Sequence, residues 1–201
     1  MRARSTIAVC ALILIPAAAA AQHDGAGGAA RPPAHTPPRE AAQYDFLIGH
    51  WELAVRPQAS GLAQRIHGTP RILGTWKAWR AFDGFGIEDE LRLVDGSGNP
   101  LSLTHTFRVY DVAARGWSQT TLDVYRGRFT AATAEWRDRE MLLTSRGTDQ
   151  EGRAYVSRTR FHDITPTGFR FQQDRSLDDG RTWNEAVLRI EARRVAATAP
   201  R

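Results

Sequence analysis

Residues 102–124, SLTHTFRVYDVAARGWSQTTLDV, decide the fold of this chain. On both sides of a turn at Arg115 and Gly116, Thr, Val, Phe, Tyr and Trp recur with a period of two. A period of two places successive side chains on opposite faces of a β-strand. The segment therefore predicts two strands, 102–110 and 117–124, joined by a tight turn.

The same pattern extends outward from this pair of strands across the predicted domain, 43–194. Within these limits no stretch of 11 or more residues has the 3.6-residue period that a helix would need. Glycine, aspartate and asparagine interrupt the pattern at regular intervals, which is typical of turns. The pattern predicts eight further strands, at 50–56, 71–82, 86–94, 127–134, 140–147, 153–163, 168–176 and 182–193.

Ten short strands joined by tight turns predict one all-β domain with antiparallel, up-and-down topology. A meander of this size removes its exposed edges by closing on itself. We therefore expect a closed barrel of about ten strands, and a sandwich of two sheets is the alternative. The long connection 57–70 has room for a lid or a short helix, or is an ordinary surface loop.

The N-terminus has the composition of a secretory signal peptide. Arg2 and Arg4 precede the apolar run 7–15, and small residues follow at 17–21. We expect cleavage after Ala21 and a bacterial protein that is periplasmic or secreted. The apolar run is well short of the roughly 20 residues that a transmembrane helix needs.

The remaining boundaries follow from composition. Residues 22–42, rich in Gly, Ala and Pro, predict a flexible leader, and 43–194 form the predicted barrel domain. The last residues, 195–201, predict a disordered tail.

Composition also limits the chemistry that we expect. Cys10 is the only cysteine and lies in the signal peptide, so the mature chain would have neither a disulfide nor a thiolate. The histidines show no metal-ligand spacing, and no nucleophile motif is present. We therefore expect no metal, no cofactor and no catalytic residue. The net charge of +5 comes from arginines interleaved with acidic residues, without the basic stripe of a nucleic-acid-binding protein.

The segment 45–51, DFLIGHW, carries a family resemblance. Gly49 and Trp51 resemble the opening signature of lipocalins and the wider calycin group. The longer string resembles an exported bacterial family of unknown function with lipocalin-like barrels, which opens with Asp-Phe-x-x-Gly-x-Trp. Segments 110–123 and 174–183 agree with that family. The resemblance implies a calycin-type barrel in which an arginine of the last strand packs across Trp51; the candidates are Arg189, Arg193 and Arg194.

A second motif lies in the last predicted hairpin. Ser176, Asp178, Gly180, Thr182 and Trp183 fit Ser-x-Asp-x-Gly-x-Thr-Trp, the Asp-box pattern. In such a turn the aspartate accepts hydrogen bonds from turn amides, the glycine takes a positive φ, and the tryptophan packs beneath. We interpret this motif as structural, like the Gly49 and Trp51 pair.

Polar residues that share one face of a predicted strand are the candidates for a ligand site. They are Trp76, Glu88, Thr106, Arg108, Gln119, Thr121, Asp123, Arg158, Gln172 and Asp174. One face of every barrel strand points inward, so these residues either line the lumen or form a solvated surface. Apolar neighbours such as Leu103 and Phe107 favour the surface. The family resemblance instead favours an inward position for Thr106, Arg108, Gln119, Asp123 and Asp174.

Three functions remain open at this point. The leading hypothesis is a barrel that binds a small, partly apolar molecule, with aromatic walls drawn from Trp76, Trp79, Trp117, Phe107, Phe129 and Phe171. The second is an enzyme that uses Asp123 with Arg108 or His105 as an acid/base pair. The third is an envelope module with a filled barrel and outer contacts such as Trp136. The oligomeric state stays open.

Overall fold

The structure, a computed structural model, describes residues 36–59, 69–149 and 151–196. Within them the strands are β1 (Gly49–Pro57), β2 (Ile72–Ala81), β3 (Gly86–Asp95), β4 (Pro100–Asp111), β5 (Gly116–Asp123), β6 (Arg128–Arg137), β7 (Glu140–Thr148), β8 (Ala154–Thr165), β9 (Gly168–Ser176) and β10 (Asn184–Arg194). Two 3-10 helices accompany them, η1 (Arg39–Leu47) and η2 (Phe82–Gly84). Helix η1 begins inside the segment predicted as the leader. Neither helix is long and apolar enough to cross a membrane.

The strands close into a single barrel. Each strand pairs antiparallel with the strands before and after it in the chain, and β1 also pairs with β10. The hydrogen-bonded order is therefore β1-β10-β9-β8-β7-β6-β5-β4-β3-β2. The predicted all-β, up-and-down barrel is confirmed, and the sandwich is excluded because the β1–β10 pairing joins the two ends of one sheet.

Aspartate side chains hold two of the connecting turns. The Oδ1 atom of Asp95 accepts hydrogen bonds from the backbone N–H groups of Ser97 at 2.8 Å and Asn99 at 2.9 Å, between β3 and β4. Asp149 accepts from the N–H group of Arg153 at 2.8 Å between β7 and β8. These local bonds substitute for ladder hydrogen bonds where the chain reverses.

Helix η1 closes one end of the barrel. Its Tyr44 is fully buried and makes an edge-to-face contact with Trp117 at the start of β5, with ring centroids 4.7 Å apart. Phe46 contacts Phe161 near the end of β8 at 5.6 Å. The Arg80 Nη1 atom donates to the carbonyl of Ala41 at 2.9 Å. We call this the closed end, and the opposite end, where β1 stops and β2 begins, the open end.

The first strand is anchored at the closed end by Trp51 and Arg194. The guanidinium of Arg194, in β10, lies 4.1 Å from the centre of the Trp51 ring. It also donates to the carbonyl of Ile48 at 2.8 Å and to that of Pro166 at 2.7 Å. Of the three arginines that the resemblance offered, Arg194 is the one that covers Trp51. Gly49, with φ of 131°, leaves room for it, because a Cβ atom there would overlap the guanidinium.

The hydrophobic core occupies the closed half of the lumen. Its largest fully buried side chains are Trp51, Trp117, Tyr44, Phe161, Leu47, Ile87, Met141 and Ile190. Large aromatic side chains dominate core energetics, so this half carries most of the packing that stabilises the barrel.

Some predicted segments lie outside the described residues. They are the signal peptide, most of the leader, residues 60–68 of the connection between β1 and β2, and residues 197–201. The alternatives for the long connection, a lid, a short helix or an ordinary surface loop, therefore stay open.

Candidate functional site

The pairing register decides which face of each strand lines the lumen. Core residues pair across the sheet, for example Trp51 with Trp76 and Phe161 with Phe171, so they mark the inward positions. Counting along each strand from such positions places six of the candidates inward: Trp76, Thr106, Arg108, Gln119, Thr121 and Asp123. The other four, Glu88, Arg158, Gln172 and Asp174, lie on the outer face.

A buried ion pair lies in the closed half of the lumen. Arg108 of β4 pairs with Asp89 of β3, and their side chains are 4% and 1% exposed. The Oδ2 atom of Asp89 and the Nη1 atom of Arg108 have no other partner among the described residues. The other carboxylate oxygen of Asp89 accepts from the Trp76 indole at 2.7 Å. Each charged group thus has a direct counter-ion, as a buried charge requires.

Arg108 also connects the barrel wall to η1. Its Nε atom donates to Gln119 at 3.2 Å, and its guanidinium lies 5.2 Å from the centre of the Tyr44 ring. Burial raises the pKa of Tyr44 to about 12, so the phenol is neutral at physiological pH. Burial also lowers the pKa of Arg108. Since that pKa starts far above neutrality and Asp89 is adjacent, Arg108 remains charged. Through these contacts, Arg108 links helix η1 to the inner wall of the barrel.

Asp89 is a buried charged residue that sequence reasoning missed. It lies between Ile87 and Leu91 on the inward face of β3, whereas the sequence interpretation selected Glu88 on the neighbouring face. The sequence does contain a signal for it, because Asp89 stands two residues from Ile87 and two from Leu91, on the same apolar face of the strand. An aspartate on such a face is buried only when its charge is paired, so this position indicates a buried ion pair.

Hydroxyl pairs line the middle of the lumen. The Oγ1 atoms of Thr106 and Thr121 are 3.1 Å apart, and the Oγ atoms of Ser145 and Ser157 are 2.7 Å apart. Each pair bridges neighbouring strands at matched register positions. The hydroxyl groups of each pair satisfy one another across neighbouring strands.

The open half of the lumen has two chemically different sides. Its apolar side comes from β1, β2, β3, β9 and β10 through Val55, Ile72, Leu93, Phe171 and Leu188. Its polar side comes from β4 to β9 through Ser102, Thr104, Thr121, Thr130, Ser145, Tyr155 and Gln173. Apart from Val55, these inward side chains remain partly exposed. The open half is therefore accessible from solvent.

A cavity of about 460 Å³ forms the mouth on the polar side. Its walls include the inward residues Asp123, Arg128, Thr130, Tyr155 and Arg175, together with Arg126, Thr148, Asp149, Glu151 and Arg153 from the two hairpins beside it. A volume of this size lies within the range of small-molecule sites. The mouth combines four arginines with three carboxylates.

The resemblance favoured an inward position for Asp174, and this expectation is wrong. It pairs in register with Arg158 on the outer face, and its carboxylate accepts from Arg158 at 2.7 Å and from Gln172 at 3.0 Å. A bulge in β10 brings the backbone N–H of Ala186 to 2.7 Å. Although burial alone would raise the pKa of Asp174, these hydrogen bonds outweigh it and lower the pKa. The residue holds the bulge from outside the barrel.

Glu88 is likewise on the outer face, where it lies 3.3 Å from the Nε2 atom of His105.

The acid/base pair suggested for an enzyme is not assembled. His105 faces outward, Arg108 is paired with Asp89, and Asp123 bonds Arg126 at the mouth at 2.7 Å.

The Asp-box residues form the expected turn. Asp178 accepts from the N–H of Thr182 at 2.8 Å and from its hydroxyl at 2.6 Å, and Ser176 donates to Asp178 at 2.7 Å. Gly180 has φ of 91°, and the Arg158 guanidinium lies 4.4 Å from the Trp183 ring centre. Hydrogen bonds from Thr182 lower the pKa of Asp178 to about 2. The motif stabilises the β9–β10 hairpin.

The aromatic walls proposed from sequence divide between the two faces. Trp76, Trp117 and Phe171 point inward. Trp79, Phe107 and Phe129 are outside, with exposed fractions of 40%, 37% and 68%, so the expectation that they line the lumen is wrong. Trp136 is 36% exposed and packs against Phe46 of η1 at 6.1 Å.

Comparison with solved structures finds a similar barrel in the S-type phycobiliprotein lyase CPES from Guillardia theta. The TM-score is 0.51 and the sequence identity 10%, over 81% of this chain and 100% of that chain. No protein-family model and no curated protein matches this chain. At this identity the similarity shows the fold alone. The molecule is a calycin-like, ten-strand antiparallel barrel. Within that class, η1 plugs one end, and the described inward residues near the opposite end remain partly exposed.

Proposed function

We propose that this barrel binds a small, partly apolar molecule in the open half of its lumen. The observation that carries the proposal is the contrast between the two halves. Side chains fill the closed half, whereas the inward residues of the open half remain accessible beside a mouth cavity of about 460 Å³. Pockets for small molecules combine apolar walls with a few polar groups in this way.

The chemistry of the walls limits the class of ligand. The apolar side, represented by Ile72 and Leu188, favours a hydrocarbon or aromatic surface. The opposite side, represented by Thr104 and Tyr155, offers hydroxyl groups for hydrogen bonds. The ligand is therefore amphipathic. The similar barrel of a phycobiliprotein lyase is compatible with this proposal but does not identify the ligand.

The location of the protein is part of the same proposal. The signal-like segment supports export, so the ligand would be met in the periplasm or outside the cell. The DFLIGHW opening supports membership of the exported family with lipocalin-like barrels. The intact mass of protein purified after expression in a bacterial host tests the export step. Cleavage after Ala21 is expected, and an uncleaved cytoplasmic product would contradict it.

Binding of a neutral apolar dye, Nile red, tests the lumen proposal. We expect saturable fluorescence enhancement with the wild-type protein and strong loss in Thr104→Trp, which places a large side chain in the lumen. Leu101→Trp, on the exposed outer face of the same strand, is the matched control and should bind as the wild type does. No saturable binding by the wild type, or equal binding by both variants, would refute the proposal.

A second function is favoured by an outer aromatic patch. Trp79, His105, Phe107 and Phe82 form a continuous set of ring contacts, at 5.7 Å, 5.0 Å and 6.2 Å between successive centroids. Exposed apolar groups that cluster in this way mark protein contacts more often than isolated ones do. An envelope interaction module is therefore the alternative, and Phe107→Ser would remove its contact without altering Nile red binding.

A further inference from the structure

The arginines at the mouth differ in how their charge is balanced. Arg126 pairs with Asp123 at 2.7 Å. Arg153 pairs with Asp149 at 2.8 Å and with Glu151 at 3.0 Å. All three carboxylates that line the cavity are thus held by arginines of the two flanking hairpins. Positive charge remains at Arg128 and Arg175.

Arg175 is the more constrained of these two. It occupies an inward position near the end of β9, and its guanidinium lies 4.3 Å from the centre of the Tyr155 ring. Its Nε atom is buried and has no hydrogen-bond partner among the described residues. None of the described carboxylates lies within 4.0 Å of it. A buried donor on a charged group that lacks an acceptor costs stability, so Arg175 is kept at this position at an energetic cost.

Arg128 faces the same cavity from β6. It points inward and is the cross-strand neighbour of Asp123. The carboxylate of Asp123, however, forms its ion pair with Arg126. Arg128 is exposed and meets none of the described carboxylates within 4.0 Å. Two arginines that meet none of the described carboxylates therefore line one cavity, and the Tyr155 ring packs against Arg175.

We propose that this mouth is an anion subsite, in which Arg175, assisted by Arg128, binds the carboxylate or phosphate group of an amphipathic ligand. The inference rests on the proposed function of the lumen and adds the charge of the ligand to it. The planar guanidinium offers paired donors that match both kinds of oxyanion. The contact with the Tyr155 ring restricts the Arg175 side chain before the ligand arrives, which lowers the entropy lost on binding.

The apolar part of the ligand has a defined direction in this arrangement. Phe171 is inward on the same strand, four residues deeper than Arg175, which corresponds to about 13 Å along β9. Leu188, across from Gln173, lies between these two levels. An anionic head at Arg175 thus leaves the apolar side of the open half to the tail, and the tail points towards the aromatic core.

Displacement of bound Nile red by three ligands with the same twelve-carbon tail tests the anion subsite. The ligands are dodecanoate, dodecyl phosphate and dodecanol, used below their aggregation limits at low ionic strength. We expect at least one of the two anions to bind about tenfold more tightly than dodecanol, because hydrogen bonds to charged groups are the stronger ones. The ratio between dodecanoate and dodecyl phosphate then distinguishes the two sources of the anion.

Substitutions then assign the preference to the mouth. Arg175→Gln should reduce the anion-to-alcohol ratio to about one, whereas Nile red and dodecanol still bind. Arg175→Lys should retain part of the preference for the anions over dodecanol, since lysine keeps the positive charge but lacks the paired donors of the planar guanidinium. Arg160→Gln, on the exposed outer face of β8, is the matched control and should leave every affinity unchanged.

The outcomes separate this inference from the lumen proposal. If the wild type binds Nile red and dodecanol but shows no preference for either anion, the anion subsite is refuted and the lumen proposal survives. If the wild type binds none of the probes, the lumen proposal itself fails. An anion preference that survives in both Arg175→Gln and Arg128→Gln would also refute the subsite. Should Arg175→Gln not fold, Arg175→Lys and the exposed Arg128→Gln decide the question.

Discussion

Replacing Asp89 by alanine should destabilise the barrel strongly, although the residue is far from the open mouth. The carboxylate is 1% exposed and makes two contacts, an ion pair with Arg108 and a hydrogen bond from the Trp76 indole at 2.7 Å. The substitution leaves the Arg108 guanidinium buried without its counter-ion. Gln119, at 3.2 Å, is neutral and does not replace the lost charge.

The magnitude follows from the burial of both partners. Removing one member of a buried ion pair costs about 3–5 kcal/mol, because the remaining charge is desolvated and uncompensated. For a domain of this size that corresponds to a fall of roughly 6–20 °C in the thermal midpoint. Replacing both partners, as in Asp89→Leu with Arg108→Met, should be far less harmful than Asp89→Ala, since no unpaired charge is left.

Urea unfolding followed by tryptophan fluorescence provides the assay, because Trp76 lies in the affected cluster. Glu90→Ala is the matched control on the same strand. Its nearest cation is Arg92 at 3.7 Å in a solvent-accessible pair, which contributes at most about 1 kcal/mol. If Asp89→Ala costs no more than Glu90→Ala, the buried ion pair does not have the role assigned to it.

Two further predictions concern the ends of the barrel. Arg194→Ala should lower the free energy of unfolding by about 2 kcal/mol or more in urea titrations, since it removes hydrogen bonds to backbone carbonyls and the contact with Trp51. The control Arg193→Ala, at an exposed neighbouring residue, should change this free energy little. Equal effects of the two substitutions would contradict the anchoring role of Arg194. Asp178→Asn should lower the urea midpoint at pH 7 more than Asp179→Asn does. Because hydrogen bonds depress the pKa of Asp178 to about 2 in the folded state, its contribution is present above about pH 4 and disappears as the pH falls towards 2, so wild type and Asp178→Asn should converge there. A constant difference across that pH range would argue against the assignment.

The sequence predicted the candidate site only in part. Thr106, Arg108, Gln119 and Asp123 do face the lumen, as the family resemblance favoured, whereas Asp174 does not. Most of their contacts were not foreseeable, because the partners come from other strands or from η1. Asp123 is the exception, since its partner Arg126 lies three positions along the chain. Arg108 is held by Asp89 in the closed half rather than exposed to a ligand. Whether the inward candidates bind a ligand stays a prediction.

Arg175 illustrates the same limit from the other direction. Its sequence neighbours do not distinguish it from the other arginines of the chain. Its importance arises only where the ends of β6, β8 and β9 meet at the mouth and leave its Nε atom buried without an acceptor among the described residues. A site of this kind depends on how neighbouring strands align with one another. That alignment cannot be deduced from the residues of one strand.

The sequence by itself determined the strand periodicity and the number of strands, because a period of two and short polar turns depend on local backbone geometry. It favoured a closed barrel but left a two-sheet sandwich open, and only the pairing of β1 with β10 decided between them. It also determined the Asp-box turn, whose hydrogen bonds join residues within a few positions. The tertiary structure alone decided which face points inward, since both faces carry apolar residues and only closure separates lumen from solvent. It likewise decided that η1 plugs one end, and that Asp174 lies outside beside the bulge at Ala186. These features depend on contacts between residues far apart in the chain, which a one-dimensional pattern does not specify.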